Sequence, residues 1–204
     1  MFKLKGKTNP DRYRDKSRRF KFVTNKTIPI AVGITSEIPG MKELLQQLAA
    51  YNVWANQKLL EVILTLPEEK QKQELPSSFK SLYHTILHMW NAESVWWQRM
   101  KLQERIILPL DNFKGTMEEL VNESLQQNRQ WQEWVNDASD AALDHVFQYQ
   151  TAKKEQFKQP IYQMILHVFN HGTYHRGQLV NMLRQLGVEK LPQTDFIVFS
   201  RIKR

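Results

Sequence analysis

The chain has 204 residues, 41% of them hydrophobic and 25% charged, a formal net charge of +8 and no cysteine. That length supports one full hydrophobic core, and the missing cysteines exclude a disulfide framework, thiolate metal ligands and a cysteine nucleophile. Ten Lys/Arg and three Asp/Glu fall in residues 1–40, a net of +7, so the body of the chain carries only +1; this pattern reads as a solvated basic tail rather than a nucleic-acid surface.

Residues 1–40 therefore form a basic N-terminal extension, flexible or irregularly packed, and Pro39 and Gly40 in "SEIPGMKEL" mark its boundary with a body over 41–204. The segment lacks the apolar run of a signal peptide, and "TIPIAVGITS" is far shorter than the ~20 residues a spanning helix needs. The expectation is a cytoplasmic protein with no membrane partner.

From Met41 onward, Leu44, Leu48, Tyr51, Ala55, Leu59 and Val62 recur at intervals of three and four, predicting a helix to about Leu66, just before Pro67. A second helix is expected from an N-cap at Ser77 or Ser78 to around Lys101, bulky with aromatic residues. The third opens on a capping box, Thr116 with Glu119, and runs through Leu120, Leu125, Trp131 and Trp134 to about Asn136. Residues 142–159 lose the helical period, and "HVFQYQ" with "EQF" predicts a short hairpin. The fourth helix is punctuated by Pro160 in its first turn and Gly187 just past its end. Four amphipathic helices with little strand signal predict an all-α fold, a four-helix bundle.

Five of the six histidines lie in two helical arrays, His84 and His88 on the second helix, His167, His171 and His175 on the fourth. Residues four apart share one helix face with Cβ atoms ~5 to 6 Å apart, close enough for two imidazoles to share an ion. His167 and His175 are about 12 Å apart along the axis, too far to ligate together, so His171 belongs to either pair. A third ligand from the second helix would give three histidines and a vacant position, the pattern of a catalytic rather than a closed structural site. Spacing alone does not choose between His84 and His88, or between the 167/171 and 171/175 pairs. The competing reading is a bundle core that buries hydrogen-bonded imidazoles beside Met164, Val168, Leu179 and Met182.

Other chemistries are excluded by absence. The residues three before each histidine are Ser81, Thr85, Ala142, Met164, Val168 and Gly172, so the Glu-x-x-His pairs of di-iron bundles are missing. HExxH, P-loop, GxGxxG and GxSxG patterns are missing as well.

The segments "LAAYNVWANQKLL", "HMWNAESVWW" and "HGTYHRGQ", with the closing "LPQTDFIVF", resemble the DinB/YfiT-like family over about residues 41–204. The resemblance implies a four-helix bundle with a metal triad at His88, His171 and His175. It leaves His84 and His167 as neighbours one turn away, either supporting the ligands and the pocket or, the preferred role, packing. Asn52, Trp54, Asn56, Arg176 and Gln178 are pocket or packing candidates, and Glu93 is a structural hydrogen-bonding partner. It also implies one divalent ion (zinc, nickel, iron or manganese) and an enzyme, a transferase acting on a small-molecule substrate with a low-molecular-weight thiol cofactor. The alternatives are a metal-dependent hydrolase and a non-enzymatic metal-binding, stress-response bundle. Trp96, Trp97, Trp131 and Trp134 serve either a homodimer interface or the core.

Overall fold

The computed structural model describes residues 40–151 and 153–202. The expected basic extension therefore lies, but for Gly40, outside the described residues. Four long helices form the frame: α1 Met41–Leu64, α3 Leu82–Met100, α5 Met117–Asp137 and α7 Ile161–Gln185. Short helices α2 Glu68–Lys72, α4 Pro109–Asn112, α6 Asp140–Asp144 and α8 Phe196–Ser200 decorate the connections and the end. α1 packs against α5 and α7, and α3 packs against the same two, which makes a four-helix bundle with α1 and α3 on one diagonal.

The ends of these helices follow local chemistry. Thr116 caps α5 through its hydroxyl, which accepts from the Glu119 amide, and the Thr116 amide donates to the Glu119 carboxylate at 2.7 Å, completing the expected capping box. Gly187, at φ +85°, takes the left-handed turn that ends α7, a conformation a side chain disfavours. α3 begins later than the Ser77/Ser78 expectation: Ser81 is the N-cap, its side chain accepting from the His84 amide, and 76–81 is a bent approach. The expected hairpin is present as β1 Val146–Gln150 paired antiparallel with β2 Gln156–Pro160, Phe147 opposite Gln159. Phe147 is its buried anchor.

The buried face of α1 is displaced from the predicted stripe. Leu44 is 46% exposed, while Leu45, Ala49, Asn52, Ala55, Asn56, Leu59, Leu60 and Ile63 face inward. Two asparagines on the inner face hid it from a hydrophobicity count. Tyr51, on the neighbouring stripe, instead donates to the Thr194 carbonyl at 2.8 Å and meets Phe196 and Phe199 of α8 edge-on.

The core is in two apolar parts. One gathers Leu59, Ile63, Leu82, Ile86, Leu120, Leu179 and Met182. The other gathers Leu45, Trp131, Val135, Phe147, Ile165 and Val168. Trp131 is fully buried, and Trp96, Trp97 and Trp134 pack partly buried against the second part. No helix among the described residues is long and apolar enough to cross a membrane.

Candidate metal centre

Adjacent faces of α3 and α7 bring His88, His171 and His175 together, one ligand atom from each within 4.8 Å of the others. The His171 Nε2 lies 3.2 Å from His88 Nε2 and 3.0 Å from His175 Nε2. Separations of about 3 Å are what two N–metal bonds near 2.0–2.1 Å subtend at roughly 90–110°.

Proton accounting favours a cation at that point. A neutral imidazole carries one N–H and one lone pair. The His175 Nδ1 sits 2.7 Å from the Gln178 Oε1, which can only accept, and Gln178 is oriented by its own amide donating to Ser78 Oγ at 3.2 Å. The His175 proton is therefore on Nδ1, and its Nε2 turns a bare lone pair to His171. With one proton at most, the His171 Nε2 makes one linear bond to two neighbours. A metal ion would accept all three lone pairs at once.

Electrostatics keep those lone pairs free. Burial, helped by the charge His175 would carry, holds His88 at about 4. His171 is also held at about 4, by burial first and then by His175, His88 and His167. Burial lowers His175 too, against the Gln178 bond that raises it. Phe79, in the approach to α3, stacks on the His88 ring at 4.1 Å and meets His175 at 5.6 Å, an apolar cover on one side.

Behind the histidines, all four long helices meet in a buried polar layer between the two apolar parts of the core. Arg176 Nη1 donates to Asn52 Oδ1 at 2.7 Å and to Asn56 Oδ1 at 3.0 Å, and its Nη2 donates to Thr173 Oγ1 at 2.7 Å. Asn56 donates to Asn128 at 2.7 Å, and Asn128 donates to the Glu93 carboxylate at 2.6 Å. Asn52 donates to the other Glu93 oxygen at 3.5 Å. Full burial pushes Glu93 up to about 7, against the lowering bonds of Asn128 and Asn52 and the Arg176 charge. Gly172 makes room for this layer: a Cβ there would stand 3.0 Å from Asn52 Oδ1 and 3.4 Å from Arg176 Nη1.

Asn52 and Arg176 thus sit inside the bundle and bond to each other, so neither lines an open pocket. His84 is exposed at the start of α3, its Nδ1 2.8 Å from Ser81 Oγ and its ring edge-on to Tyr83 at 5.8 Å. His167 is also exposed, its ring 5.3 Å from Trp96 and 6.0 Å from His171. Sequence reasoning missed Phe79 and Asn128. Asn128 could have been found: it lies four residues after Ser124 and three before Trp131 on the buried stripe of α5. Phe79, in irregular chain, carries no such periodic signal.

The model of the DinB family matches residues 41–203. Protein DinB of Bacillus subtilis strain 168 is 29% identical over 163 residues, covering 76% of this chain and 93% of the relative. A DinB-like protein from Bacillus cereus superposes with a TM-score of 0.58 at 20% identity, over 74% of this chain and 95% of that one. A DinB-family structure from Exiguobacterium sibiricum gives 0.53 at 15% identity, over 78% and 100%. The four-helix frame, the histidine cluster it builds and the matched span coincide, and the chain belongs to the DinB family.

Proposed function

We propose that His88, His171 and His175 hold one divalent cation with a coordination position left open, and that the protein is a metal-dependent enzyme transferring a group to or from a low-molecular-weight thiol. The observation that carries the metal is the convergence of three Nε2 atoms, 3.2 and 3.0 Å apart in succession, whose lone pairs one proton cannot reconcile. The thiol comes from the resemblance to the DinB family, and the chain's lack of cysteine means that any thiol at this site is brought from outside.

When bound, the ion supplies positive charge that lowers the pKa of a thiol beside it. The chain's own residues do the rest. Gln178 fixes the His175 tautomer and aims its Nε2 at the cluster. Phe79 covers the His88 ring and keeps water from that side. The Asn52–Arg176 bond ties α7 to α1 one residue beyond His175, which sets the rotation of both α7 histidines. A small-molecule substrate, a homodimeric assembly and a cytoplasmic setting complete the reading.

Protein purified without added metal should carry about one divalent ion per chain and should consume an electrophile only with added thiol. Metal-dependent cleavage of esters or amides without thiol would instead make it a hydrolase. Protein with no ion, and none taken up, would end the proposal.

A further inference from the structure

A second chemically distinct place lies at the far end of α3, around Arg99, about 16 Å along the helix axis from His88. Arg99 lines a cavity of about 530 Å³ between the end of α3, the 102–108 loop and β1, a volume suited to a small molecule. Its guanidinium sits 4.8 Å from the Trp96 ring centroid and 5.6 Å from that of Tyr149. Tyr149 is itself fixed, donating to Gln159 at 2.6 Å. Among the described residues, Arg99 has no carboxylate partner and no side-chain hydrogen bond, and the ion pairs there are Lys72–Glu68 and Lys80–Glu74. A half-buried arginine is thus framed by two rings while its planar fork of N–H donors has no acceptor from the chain.

The cavity wall is built in advance. Gln98 donates to the Ile107 carbonyl at 2.7 Å and accepts from the Ile107 amide at 2.7 Å, clamping the loop back onto α3. The loop leaves the helix through Leu102 at φ 52°, a left-handed conformation a leucine holds only when its surroundings impose it. Val95, Leu102, Ile106 and Leu108 give the cavity an apolar side. Glu104 also lines it, which disfavours a ligand with more than one negative charge.

We propose that this cavity binds a small organic monocarboxylate, the carboxylate taken by the Arg99 fork and the apolar body lying against Val95, Leu102, Ile106 and Leu108. The site is independent of the histidine cluster and of any metal there. A bidentate guanidinium–carboxylate pair in a partly desolvated frame gives both affinity and orientation.

The test is titration of the full chain, followed by heteronuclear NMR, with sodium hexanoate and with neutral hexanamide as probes. Hexanoate should bind once per chain, shift the Arg99 Nε–H and Trp96 indole signals, and bind roughly tenfold or more tightly than hexanamide. Arg99→Met should weaken hexanoate by about tenfold and leave hexanamide unchanged, and Glu104→Gln should tighten hexanoate. Hexanoate affinity should be the same in His88→Ala and in chelator-treated protein. Equal binding of the two probes, no binding of either, full affinity in Arg99→Met, or loss in His88→Ala would each overturn the proposal. Should Arg99→Met not fold, Glu104→Gln decides: unchanged hexanoate affinity there overturns it as well.

Discussion

Arg176 reaches Glu93 through Asn52, whose side-chain oxygen accepts from Arg176 at 2.7 Å and whose amide donates to Glu93 at 3.5 Å. Both charged groups are almost wholly inside the bundle, at 3% exposure each. Removing one member leaves the other without compensation in a low-dielectric interior. Arg176→Met should therefore cost about 3–5 kcal/mol of unfolding free energy. Urea or guanidinium denaturation measures it, and a loss below about 1 kcal/mol would show that the layer is no more than space-filling.

The two glycines of α7 make an internal comparison. Gly177 has nothing within 4 Å of a built Cβ, so Gly177→Ala should gain the helix propensity difference, about 0.5–1 kcal/mol. Gly172 meets Asn52 at 3.0 Å, so the same substitution there must displace a bonded buried side chain. We expect Gly172→Ala to destabilise on balance although it adds the same methyl group to the same helix. Thermal melts of the pair give the answer, and two substitutions of equal sign would refute the close-approach role of Gly172.

Metal content separates the five clustered histidines. Alanine at His88, His171 or His175 should abolish stoichiometric binding, whereas His84→Ala and His167→Ala should leave it unchanged, since both are exposed and outside the convergent trio. Gln178→Ala should weaken affinity by about 10- to 100-fold without removing a ligand, because it frees the His175 tautomer and ring. Elemental analysis and competition with a metal-binding dye distinguish these cases; equal loss in His167→Ala would place the centre one turn earlier on α7.

How much of this was readable beforehand follows the nature of each signal. The long helices announced themselves through period and caps, and Thr116 with Glu119 marked the start of α5 to the residue. Shared helix faces made His171 common to any pair. Choosing His88 over His84 needed the family resemblance, since both lie on one helix four residues apart and only the folded chain leaves His84 exposed in the first turn. The polar layer was the least legible part: Asn52, Asn56 and Asn128 look like solvent residues in a hydrophobicity pattern. Their burial depends on Arg176 and Glu93, which arrive from two other helices. The Arg99 cavity was invisible for the same reason, as its frame joins α3 to a strand about fifty residues on.

The histidines and Glu93 pull acid stability in opposite directions, which makes pH a test of both. His88 and His171 titrate at about 4 in the folded chain against an ordinary 6.5, so the folded state binds fewer protons. Their contribution is intact above pH 6.5 and lost as pH falls towards 4. Glu93 titrates at about 7 against an ordinary 4.5, so its contribution is intact below pH 4.5 and lost as pH rises to 7. In metal-free protein the two histidines outweigh the single carboxyl, and His175 and His167, also lowered by burial, add to the same side, so unfolding between pH 4.5 and 6.5 should take up a net of at least about one proton. Glu93→Gln deletes the opposing proton-binding group, so its acid slope should steepen by about one proton, while overall stability falls because a Gln amide meets one of the Asn52 and Asn128 donors and Arg176 loses its carboxylate. Denaturant midpoints at a series of pH values report both slopes. Parallel slopes for the wild-type chain and Glu93→Gln would mean that Glu93 does not gain a proton inside the bundle.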